Sequence, residues 1–162
     1  MMETQGARFF SGSHMARLLI VDDNETIRYL MRSYLERGGH VVCGDASNGM
    51  QGVAMAKQMN PDVILLDLTM PELTGIETAA ILKRTLPQTP IILFTLHEET
   101  INKELAATMG VDMVVNKMDG IPKISESVRE LLERSVGTSG GRRSSNQRSA
   151  NECPAEKSPD VE

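Results

Sequence analysis

Five short aliphatic runs recur along the chain, each followed by a stretch of helical period: RLLIVD from Arg17, HVVCGDA from His40, DVILLD from Asp62, PIILFT from Pro90 and VDMVVN from Val111. A near-continuous apolar run suits a strand covered on both faces, and strands that alternate with helices pair in parallel through right-handed crossovers. The expected fold is therefore α/β, a doubly wound parallel sheet with helices on both sides. Helices are expected over residues 24–37, 48–59, 74–85, 98–109 and 119–134. Asn24 or Asp23, Asn48, Thr74 and Asp119 stand where N-caps belong, and Gly38, Gly39 and Gly110 where helices should end.

The two ends of the chain lack this pattern. Residues 1–16 show no periodicity and carry GSHM at 12–15, so a disordered leader or tag remnant is expected there. From Gly137 the composition turns to Ser, Gly, Pro and charge, and residues 137–162 are expected to form a disordered tail. One domain remains over residues 17–136, in keeping with a chain of 162 residues of which 40% are hydrophobic.

A net charge of −5 argues against nucleic acid as a direct partner. In the tail, Arg142, Arg143, Arg148 and Lys157 are matched by Glu152, Glu156, Asp160 and Glu162. Cys43 and Cys153 have neither zinc nor disulfide-framework spacing and read as free thiols in a reducing compartment. No apolar run approaches the roughly 20 residues that span a bilayer, and no signal-peptide pattern opens the chain, so a cytoplasmic protein without a membrane partner is expected. The eleven methionines read as core filling rather than as a binding stripe.

Ligands of doubly wound sheets gather at the carboxyl ends of the strands. There the chain places Asp22 and Asp23 after the first strand, Asp67 at the end of the third, Thr95 at the end of the fourth, and Asn116 and Lys117 at the end of the fifth. Asp45 and Ala46, after the second, are taken as edge loop. Each of these residues also has a structural reading, as a helix cap, a turn, a strand former or a solvated end. Their conjunction says more, because three carboxylates in one cleft repel each other unless a cation neutralises them, and carboxylate ligands suit Mg2+. Lys117 adds a positive charge and Thr95 a hydroxyl donor. The set can hold a phosphoryl group on Asp67, whose carboxylate can act as a nucleophile toward phosphorus. No P-loop or GxGxxG motif is present, so a glycine-rich nucleotide-binding loop is not expected. His97, beside this group, reads as solvent-facing at the start of the fourth helix.

Through LLIVDDNETIR, VILLDLTMPELTG, IILFT and the late Lys117, residues 17–134 resemble the receiver domain of bacterial two-component response regulators. The stretch LFTLHEE is similar to receivers of the LuxR/nitrate-regulator type. The resemblance implies a flavodoxin-like (βα)5 fold with strand order 2-1-3-4-5, and a phosphoacceptor signalling domain rather than an enzyme. It implies that Asp67 accepts phosphate from a histidine kinase or phosphotransfer protein. Asp23 and Asp67 would bind Mg2+ directly, the backbone carbonyl of Thr69 would be a third ligand, and Asp22 would act mostly through water. Thr95 would bond the phosphoryl group and move with it, while Lys117 would pair with its oxygens. A protein output partner would dock on the fourth helix, fifth strand and fifth helix, and a phosphorylation-dependent dimer is a further expectation. After Glu133 no helix-turn-helix pattern follows, so output is expected through a protein partner, or as one domain of a longer regulator.

Three positions depart from the family. Met118 follows Lys117 where proline is usual, so the cis bond of that position is expected to be absent. Val114 occupies the switch position that usually holds Tyr or Phe, and switching falls to Thr95. Leu96 follows Thr95 where a small residue is common, and is expected to narrow access to the phosphoryl site. Two other readings stay open. One is an atypical receiver used as a phosphorylation-independent interaction module. The other is a metal-dependent phosphohydrolase of the haloacid dehalogenase type, against which Thr69 stands where a second acid would be wanted.

Overall fold

The computed structural model describes residues 15–96, 101 and 103–137. Their order is β1 (Arg17–Val21), α1 (Glu25–Arg37), β2 (Val41–Ala46), α2 (Gly49–Met59), β3 (Val63–Asp67), α3 (Gly75–Thr85), β4 (Ile91–Thr95), α4 (Lys103–Thr108), β5 (Met113–Asn116) and α5 (Ile121–Gly137). A 3-10 turn, Lys117–Asp119, precedes α5. The strands form one parallel sheet in the order β2-β1-β3-β4-β5, the doubly wound arrangement expected from the sequence.

Side chains alternate across a strand, so each strand feeds two cores. On one face Leu18, Ile20, Leu65, Ile92 and Phe94 pack with Met31 and Leu35 of α1 and with Ile124, Val128 and Leu131 of α5. On the other, Leu19, Val21, Ile64, Leu66, Ile91 and Leu93 pack with Val53 and Ala56 of α2, Ala79 and Leu82 of α3 and Ala106 of α4. This double covering is why β3 and β4 are buried along their whole length and read as unbroken apolar runs. Truncating a core side chain such as Leu65 to Ala should cost about 2–5 kcal/mol. Met31 and Met70 do fill the core, whereas Met15, Met50 and Met118 are exposed.

The caps follow the sequence at three helices. Asn24, Asn48 and Thr74 accept from the backbone N–H of Ile27, Gln51 and Glu77, and Thr74 forms a capping box with Glu77. The α1 cap is thus Asn24 and not Asp23. Gly38 and Gly39 close α1, and Gly110 follows α4 at a φ of 80°. Asn60, left-handed at φ 48°, ends α2.

Two local expectations are corrected. Asp119 does not cap α5: it closes the 3-10 turn, and Gly120, at φ 80°, separates it from a helix that starts at Ile121. Pro122 suits that first turn, where its missing N–H leaves no intrahelical bond unmade. Asp45 is not edge loop either. It lies in β2 opposite Ile20, where Arg28 and Arg32 hold its carboxylate.

Of the fourth helix expected over 98–109, the described part is α4. His97, Cys153 and residues 1–14 and 138–162 lie outside the described residues. Ala16 is buried, and its carbonyl accepts the Val41 N–H at 2.9 Å. Among the described residues no helix is long and apolar enough to cross a membrane.

Candidate functional site

From the sheet's centre, β1 leads outward to β2 and β3 leads to β4 on the opposite side, so the connections diverge and leave a cleft at the strands' carboxyl ends. Asp22 and Asp23 stand on one lip and Asp67 on the other. One carboxylate oxygen from each lies within 4.8 Å of the other two. Asp22 and Asp67 are buried, at 1% and 5% exposure, while Asp23 is exposed and opens the group to water.

Lys117 ties the two lips together. Its Nζ lies 2.7 Å from Oδ2 of Asp22 and 3.0 Å from Oδ1 of Asp67. The ammonium also stands over the Phe94 ring, 5.2 Å from its centroid. The 3-10 turn delivers it: Asn116 caps that turn, its Oδ1 accepting the Met118 N–H at 2.9 Å. A proline at 118 would lack this donor. The Lys117–Met118 bond is trans, as expected, and no cis peptide occurs among the described residues.

Burial pushes the Asp67 carboxyl above the ordinary carboxylate range. The Lys117 ammonium pulls it down, the Asp22 carboxylate pushes it up and a bond from the Thr69 backbone N–H pulls it down, with a net upward shift. Burial would lower Lys117, but Asp22 and Asp67 outweigh it and hold the ammonium above the ordinary lysine range. Three carboxylates and one ammonium leave two negative charges in the cleft, a donor set that fits one hard divalent cation with water as its remaining ligands.

The other expected site residues lie on β4 and β5 or in the loops that follow β3 and β4. Thr95 is fully buried at the end of β4, opposite Asn116 in the sheet. Thr69 is exposed, two residues past Asp67. Val114 pairs with Leu93 and packs, half-buried, on the α2–α3–α4 core. Leu96 is 57% exposed.

Two features escaped sequence reading. Gly75 donates its N–H to the Leu68 carbonyl at 2.9 Å, and a Cβ there would strike the carbonyl oxygen of Asp67. Only glycine lets α3 begin hard against the end of β3. The available signal was a glycine just after a cap residue, where a better helix former would otherwise stand. The second is Arg28, which binds the carbonyl oxygens of both Asp22 and Asp23.

The family profile described as "Response regulator receiver domain" matches residues 18–136. The chain belongs to this family. It carries a receiver domain, a phosphoacceptor signalling module of two-component systems. The receiver is 32% identical over 115 residues to response regulator protein VraR of Staphylococcus aureus, a match covering 70% of this chain and 55% of that protein. The chain thus spans about half the length of the curated relatives it matches, 55%. Among solved structures, the receiver domain of the Francisella response regulator 1452 is 27% identical at a TM-score of 0.67, covering 74% of this chain and 98% of that one. Response regulator TrrA of Thermotoga maritima, solved in complex with Mg(2+)-BeF, is 28% identical at a TM-score of 0.65, covering 72% and 99%.

Proposed function

We propose that Asp67 is the phosphoacceptor of this receiver and that its donor is a histidine kinase or a phosphotransfer protein. The observation that carries the reading is the Asp67 carboxylate buried at the end of β3, with the Lys117 ammonium at 3.0 Å and the acidic pair facing it. In the transfer, an Asp67 carboxylate oxygen attacks phosphorus. The new P–O bond forms as the donor's P–N bond breaks, and that electron pair leaves on the donor imidazole. Lys117 draws charge from the phosphoryl oxygens, and the Thr95 hydroxyl donates a hydrogen bond to them.

Asp23, Asp67 and the main-chain carbonyl of Thr69 would hold Mg2+, with Asp22 acting through water. Bound there, the ion neutralises charge on the transferring group. The likeness to TrrA, solved with Mg(2+)-BeF, supports this choice of cation. The chain is a phosphoacceptor that assists its own phosphorylation and dephosphorylation, not an enzyme with a separate substrate. It acts in the cytoplasm, and its output surface is α4, β5 and α5, where a protein partner or a second phosphorylated copy would dock.

Incubation with acetyl phosphate and Mg2+ should add one phosphoryl group to the full chain by intact mass, and EDTA should prevent it. A chain that stays unlabelled, or that labels equally in EDTA, overturns the reading.

A further inference from the structure

An arginine on α1 binds the main-chain carbonyls of both residues of the acidic pair, beside the bond from the Asp22 N–H to the Ala46 carbonyl. Arg28, one turn into α1, directs Nη1 to the carbonyl oxygens of Asp22, at 2.8 Å, and Asp23, at 3.2 Å. Its Nε donates to Oδ1 of Asp45, on the edge strand β2, at 3.2 Å. Arg32, one turn further along α1, binds the other oxygen of Asp45 and donates to the Val42 carbonyl at 3.1 Å. The Arg28 guanidinium therefore bridges the β2 edge and the loop after β1, with its side chain only 15% exposed.

Charge alone does not account for a guanidinium here. A positive group beside a cation site repels the cation, and a partly solvated ion pair adds little stability. Geometry does account for it: a planar fork of fixed donors reaches three acceptors on two elements at once.

We infer that Arg28 is a positioning residue for the divalent-cation site, fixing the backbone from which the Asp22 and Asp23 carboxylates reach the cleft, with Asp45 as its brace. The inference rests on the cation site proposed above. It separates from simple electrostatics by sign. Removing a positive charge would tighten cation binding, whereas removing a positioning group loosens it.

The test is Mn2+ binding to the full chain, read from the spin-resonance signal of the free ion, for the wild type, Arg28→Ala, Arg28→Lys and Asp45→Asn. Arg28→Ala should bind about tenfold more weakly, in the range seen when a group that orients metal ligands is lost. Arg28→Lys keeps the charge but not the fork and should stay weak, and Asp45→Asn should show a smaller loss. Melting in EDTA reports the fold separately, and a variant that melts earlier yet binds Mn2+ as the wild type does overturns the inference. So does tighter binding in Arg28→Ala. Should that variant not fold, unchanged binding in Asp45→Asn overturns it instead. A wild type that binds no Mn2+ overturns the cation-site reading itself, and the inference with it.

Discussion

The Lys117 ammonium stands 3.0 Å from Oδ1 of Asp67, although the two residues come from the ends of β5 and β3 with β4 between them. The Lys117 side chain spans the gap, its ammonium lying over the ring of Phe94 on β4. A cation is thus fixed beside the carboxylate proposed as acceptor before any phosphoryl group arrives, which is the preorganisation that charge stabilisation in phosphoryl transfer requires.

That cation does not fully offset the burial of Asp67, whose carboxyl sits above the ordinary range. Between the ordinary value and the raised one, the folded state binds more protons than the unfolded state. Stability therefore falls as pH rises through that window, and the cost is complete once pH stands above the raised value. Asp67→Asn should raise the melting temperature at neutral pH in EDTA, and the gain should shrink below the window. Melting curves of both proteins across acid and neutral pH check this; a neutral or lower melting temperature at pH 7 contradicts it.

Asn116 replaces a proline constraint with a hydrogen bond, its Oδ1 holding the Met118 N–H and so the turn that presents Lys117. Asn116→Ala should cost about 0.5–2 kcal/mol, as other cap deletions do. It should also slow the initial rate of labelling by acetyl phosphate, because Lys117 then samples other positions. A variant that is less stable but labels at the wild-type rate would show that the cap serves the fold alone.

Switching should run through Thr95 and not through Val114. Val114 is β-branched, half-buried and packed on the core, with no ring or hydroxyl to exchange between poses. Thr95 ends the strand next to Asp67 and can be drawn toward phosphoryl oxygens, biasing an existing equilibrium by differential contacts. Amide shift maps with and without beryllofluoride should show a response that Thr95→Ala largely removes and Val114→Ala leaves in place. A response centred on residues 111–116 that survives Thr95→Ala speaks against this route.

What the sequence disclosed, and what it hid, divides by range. The strand runs, the Asn24, Asn48 and Thr74 caps and the turn glycines are local, because period, capping and φ are set within a few residues. Asp22, Asp23, Asp67, Thr95 and Lys117 were legible because parallel strands align their carboxyl ends, so strand-end residues share one side of the sheet. Asp45 was misread because its role depends on register. The β1–β2 pairing shifts between Leu18 and Leu19, which sets Asp45 opposite Ile20 and within reach of Arg28 and Arg32 on α1. Gly75 was missed for a similar reason: what excludes a side chain there is the Asp67 carbonyl, a contact made only once α3 docks against β3.

The residence of the phosphoryl group on Asp67 is tested most directly by trapping it. Borohydride reduces an aspartyl phosphate to homoserine, which peptide mass spectrometry locates. After treatment with acetyl phosphate and Mg2+, the expected result is homoserine at position 67 alone, and none anywhere in Asp67→Asn. Homoserine at position 22 or 23 with Asp67 intact, or a label that persists in Asp67→Asn, would contradict the assignment.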